Sequence, residues 1–90
     1  MTIEKRIKII GFLETTFINE AVEAMERKNG RRLSNEEKLE IQSNWYKYSS
    51  SFTRMWLNYL TDEKLLTVLS KKLSLEKNLR TFNELFGNKL

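Results

Sequence analysis

Proline occurs nowhere in this sequence of 90 residues. Proline is the residue that most strongly breaks a helix, so long uninterrupted helices are open to this chain, and its apolar spacing is helical from end to end. Three internal marks divide it. Asn29-Gly30 reads as a helix stop, because glycine accepts the left-handed backbone that ends helices. Ser34-Asn35-Glu36-Glu37 spells a capping box, in which the serine oxygen takes the Glu37 amide and the glutamate reaches back to the cap amide. At Thr61-Asp62-Glu63 a threonine stands ready to cap, two acids suit a helix N-terminus, and Leu60 and Leu65 are spaced as a hydrophobic staple.

These marks predict helices over about 2–29, 35–60, 62–73 and 75–86. The first carries a seam of Ile3, Ile7, Ile10, Phe17, Ala21 and Ala24, with Glu14 at the one seam position that ought to be apolar. Leu13, Ile18, Val22 and Met25 widen it. Gly11 costs a helix about 1 kcal/mol against alanine and marks a bend or a close contact. In the second helix Ile41, Trp45, Tyr48, Phe52, Met55 and Tyr59 step by four and three, an unbroken heptad seam, with Leu39, Tyr46, Trp56 and Leu60 beside it. Ser49-Ser50-Ser51 is its weak point, since serine hydroxyls compete for backbone hydrogen bonds. Leu65, Leu66, Val68, Leu69 and Leu73 form one stripe of the last third. Leu75, Leu79, Phe82, Leu85 and Phe86 form another, ending at Gly87-Asn88. The two stripes are out of register, and Ser74 is placed to cap a new helix; a single continuous helix is the alternative.

No strand signal interrupts this pattern. The expected fold is all-α: one domain over 1–90, a small antiparallel helical bundle of three to four helices. A helix over 2–29 would be about 40 Å long, whereas a compact chain of this size has a radius of gyration of about 12 Å. The first helix therefore bends near Gly11, or the molecule is an elongated hairpin whose flank a second copy covers. Homodimerisation is expected on that ground, and because so small a core gives modest stability.

The chain also lacks histidine and cysteine, which carry most nucleophilic, proton-relay and zinc chemistry. Glu20, Glu23 and Glu26 share a helix face, but without histidine they read as a solvated, salt-bridged surface, with Glu23 spaced to pair with Arg27. Ser51 and Lys47 are four apart with nothing to mark an activated pair. No catalytic residue, metal or cofactor is expected. No apolar run approaches the roughly 20 residues of a membrane helix, and the N-terminus lacks the apolar centre of a signal peptide. A soluble, cytoplasmic protein is expected, with Ile3, Ile7 and Ile10 buried against the bundle.

Two features point to partners. Arg27, Lys28, Arg31 and Arg32 crowd one turn, and without them the remaining bases of the chain equal its 12 acids. Such a tip suits a phosphate backbone or an acidic protein patch, although Arg27 and Lys28 also offset the helix dipole. Separately, Trp45, Tyr46, Tyr48, Phe52, Trp56 and Tyr59 are too many rings for one seam. Trp45, Tyr48 and Phe52 are expected in the core, while Tyr46, Trp56 and Tyr59 form a candidate protein interface. The composition thus favours a non-enzymatic regulator or adaptor that binds an unidentified protein, the alternative being a nucleic-acid-binding accessory protein that uses the basic turn at 27–32.

Overall fold

The computed structural model describes residues 1–87 and contains helices but no strand among them. Helix α1 spans Ile3–Asn29 without interruption at Gly11. Thr2 caps its start, its hydroxyl accepting the Lys5 amide, and Gly30 ends it in left-handed backbone at φ 68°. A Cβ on Gly11 would meet open space, so no close contact requires that glycine. The capping box forms as read: Glu37 N–H donates to Ser34 Oγ at 3.2 Å and Ser34 N–H to Glu37 Oε1 at 3.0 Å.

The second predicted helix is a rod in three parts: α2 (Asn35–Asn44), a π-helical turn (Trp45–Ser49) and α3 (Ser50–Tyr59). The backbone stays right-handed throughout, but the Ser50 amide reaches back five residues to the Trp45 carbonyl. The irregularity thus falls beside the serine triplet. Thr61 then caps α4 (Asp62–Leu73), accepting the Lys64 amide at 3.2 Å, and α5 (Glu76–Phe86) follows after a two-residue turn. Ser74 does not cap α5. Its hydroxyl donates to the Lys71 carbonyl, and Leu75 occupies the cap position without a side-chain bond. Asn88 lies outside the described residues.

Helix α1 is the central element. The rod runs antiparallel to it, so that Arg6 meets the end of α3, donating to the Leu60 carbonyl at 2.9 Å and to Asp62 Oδ1 at 2.6 Å. A cation there offsets the negative end of the helix dipole. Helix α4 returns along α1, from Asp62 beside Arg6 to Lys72, which bonds Glu20 at 2.6 Å. Helix α5 runs back again, with Lys77 paired to Glu23 and Phe82 edge-on to Phe12 at 5.2 Å. Glu23 is therefore tied to α5 rather than to Arg27.

The core lies between α1, α4 and α5, where Ile9, Phe12, Leu13, Leu65, Leu69 and Phe82 are buried, with Ile10 and Leu57 joining from the α3 side. Burying each such side chain contributes about 1.5–3 kcal/mol. The molecule is elongated, with extents of 40 × 27 × 17 Å and a radius of gyration of 14.0 Å. Of the N-terminal isoleucines expected in the core, Ile10 is buried but Ile3 and Ile7 are exposed.

Candidate interaction surface

The way α3 meets α1 is set by one carboxylate. Glu14 is 1% exposed, at the seam position that should have been apolar. Four donors from the rod satisfy it. Arg54 gives Oε1 two hydrogen bonds, from Nε at 3.0 Å and Nη2 at 2.8 Å. Ser50 Oγ donates to Oε2 at 2.6 Å and Trp45 Nε1 donates to it at 3.3 Å. Burial pushes the Glu14 carboxyl up, but the bonds from Ser50, Arg54 and Trp45 and the Arg54 charge outweigh it and hold the group below its ordinary value.

The π turn is what brings these donors to Glu14. It adds one residue to the rod, which rotates everything after it by about 100° relative to a continuous α-helix. Ile41 before the turn and Trp45 at its start are half-buried, Trp45 against Phe17 of α1. A regular helix would then turn Tyr48, Phe52 and Trp56 inward. The extra residue moves each position on by one, so Ser49 and Thr53 are half-buried and Leu57 is buried instead, with Ser50 buried beside them. The heptad of large side chains that reads as a core seam consequently faces solvent. Tyr48 is 64% exposed, Phe52 73%, Met55 53% and Tyr59 83%. This overturns the core placement of Tyr48 and Phe52. Trp45 alone of the three expected core rings leans inward, 6.5 Å from the Phe17 ring.

The stripe is also nearly free of charge. Charged residues make up 31% of the chain, yet from Ile41 to Thr61 there is no acid and the only bases are Lys47 and Arg54. Arg54 is neutralised by Glu14, and Lys47 lies over the Tyr48 ring at 5.2 Å. An outward helix face is ordinarily polar, and exposed apolar patches on this scale mark interaction sites. Of the three residues expected at an interface, Tyr59 belongs to the stripe. Trp56 sits on its flank, half-exposed and 6.4 Å from Phe17. Tyr46 is not brought to it; it lines a separate groove of about 400 Å³, where α1, α2 and α5 contribute Ile18, Val22, Gln42 and Asn78. Ile3 and Ile7, four-and-three spaced with Ile10 and Glu14 on α1, are also exposed.

The basic turn is smaller than its sequence suggests. Arg31 closes on Glu37 through two bonds, of 3.0 and 2.8 Å, and also donates to the Arg32 carbonyl. Arg31 and the Ser34 bonds hold Glu37 down to about 2, and Glu37 in turn raises Arg31. Leu33, which the sequence reading passed over, is buried in the turn, its amide donating to Glu26 Oε2 at 2.9 Å. Arg27, Lys28 and Arg32 are exposed, and no ion pair among the described residues engages them. All four cations are exposed, but Arg31 is already paired with Glu37, which leaves three without an ion pair among the described residues.

Among the described residues no group of acids is arranged to hold a metal ion, and no helix is long and apolar enough to cross a membrane. Compared with known proteins, the chain matches no family model, no curated protein and no solved structure. The functional reading therefore rests on the surface itself.

Proposed function

We propose that this chain is a small non-enzymatic adaptor or regulator that works by docking on protein through the outward face of α3. The observation that carries this reading is the uncharged stripe of Tyr48, Phe52, Met55 and Tyr59, held in solvent by a helix whose inner face is committed to Glu14. Aromatic side chains supply large contact area at little conformational cost, and they dominate the energetics of protein interfaces. The stripe is supported on a rigid element rather than on a loop, which suits repeated, specific engagement.

Nucleic acid is the second reading, favoured by Arg27, Lys28 and Arg32 at the exposed tip. With Arg31 occupied by Glu37, it has fewer contacts to offer and predicts a shallow salt dependence, about one unit of slope per phosphate contact.

Photo-crosslinking in the cells that make the protein tests the first reading. A photoreactive phenylalanine analogue is placed at Phe52, at Tyr59 and, as a control, at Arg80, an exposed position on α5. Protein adducts at the first two positions and none at the third are expected. Adducts only to nucleic acid, adducts equally at Arg80, or none at Phe52 and Tyr59 would overturn it.

A further inference from the structure

We infer that the occupant of the α3 stripe is a second copy of this chain, so that the working form is a twofold dimer packed α3 on α3. The inference rests on the reading of this face as a docking surface and names its partner.

Area is the first argument. A whole aromatic side chain buries about 150–250 Å², so at the observed exposures Tyr48, Phe52, Met55 and Tyr59 offer on the order of 600 Å² per copy. Two copies would thus bury about 1,200 Å² in all, the lower end of the range for a stable protein interface. A docking face for a short peptide would need less.

Charge is the second. In an isologous dimer a patch meets itself, so any net charge on it is placed against the same charge. Most surfaces of a chain this rich in charge would repel a copy. The α3 stripe carries little net charge, because Arg54 is ion-paired with Glu14 and Lys47 sits at one end against Tyr48.

Periodicity supplies the third. Tyr48, Phe52, Met55 and Tyr59 keep four-and-three spacing on the outward face, which is the spacing by which two helices interlock side chains along a shared seam.

The test is sedimentation equilibrium of the purified chain, beside a Phe52→Glu/Tyr59→Glu double variant whose circular dichroism reports the fold. Wild type should weigh twice 10.8 kDa at protein concentrations on the order of 100 μM. The variant should remain monomeric with wild-type helix content, its association weakened by about 100-fold or more. The chain contains no cysteine, so a Phe52→Cys variant should form a disulfide-linked dimer on mild oxidation and an Arg80→Cys variant should not. Monomeric wild type at the highest concentration overturns the inference, as does a dimer that survives the double variant or links equally through Arg80→Cys. Monomer together with in-cell adducts of another protein at Phe52 and Tyr59 removes the copy and keeps the docking face. Monomer without adducts removes both.

Discussion

Helices α3 and α4 pack on the same central helix in opposite ways. Helix α4 turns Leu65 and Leu69 inward, where they are buried with Ile9 and Leu13, and it leaves Lys64 and Lys71 outside. Helix α3 does the reverse: it meets α1 with Leu57, Ser50 and Arg54 and sends Phe52, Met55 and Tyr59 into solvent. One contact is an ordinary hydrophobic interface and the other is organised by a carboxylate. The difference teaches that a helix is oriented by its costliest buried group as much as by its most apolar face. A buried carboxylate without partners costs several kcal/mol, which outweighs the gain from covering any one of the rings that α3 exposes.

The comparison can be broken most easily at the α4 contact. Leu65 is fully buried, and Leu65→Ala should destabilise the fold by about 3 kcal/mol through lost burial and a residual cavity; urea denaturation measures it. A loss under 1 kcal/mol would mean that α4 is not the firm side of the bundle.

The α3 contact should respond next. Arg54→Ala leaves Glu14 buried without its cation and should cost about 2 kcal/mol, less than the 3–5 kcal/mol of a fully buried pair, because the Arg54 side chain is 52% exposed. The same variant sharpens the comparison through pH. Glu14, Glu37 and Asp62 all have depressed carboxyls, Asp62 through the terminal ammonium and Arg6. Their stabilisation is complete above the unfolded-state value of about 4–4.5 and is lost as pH falls through the folded-state values, for Glu37 towards about 2. Wild type should therefore lose stability between about pH 5 and about pH 2. Arg54→Ala should lose less over that range, since Glu14 then has only the Ser50 and Trp45 bonds to set against its burial. An equal loss in the two proteins would show that Glu14 does not organise the contact.

The smallest effect belongs to the outward face. Phe52→Ser, examined by thermal unfolding at concentrations low enough to keep the chain monomeric, should change stability by no more than about 0.5 kcal/mol. A loss of 2 kcal/mol or more would place Phe52 in the core after all.

Much of the bundle was legible in the chain because it follows from local chemistry. The absence of proline, the Ser34–Glu37 box, the Gly30 stop and the Thr61 cap are interactions within a few residues, and they set helix ends whatever the rest of the fold does. The break between α4 and α5 was visible too, in two stripes that do not share a register, although Ser74 plays a different part from the one its type suggests. Glu14 was visible as an anomaly, and the serine triplet as a place where the helix would yield. What joined them was not visible. Glu14 and Ser50 are 36 positions apart, and only the folded chain sets the two helices side by side so that the carboxylate can take Ser50, Arg54 and Trp45 as donors. That contact selects the π turn, whose single extra residue changes which face of α3 is inside. Helical content and helix ends were thus determined by sequence-local hydrogen bonding and periodicity. The side of α3 that faces the world was decided only in three dimensions, because the cost of a buried charge depends on what lies opposite it.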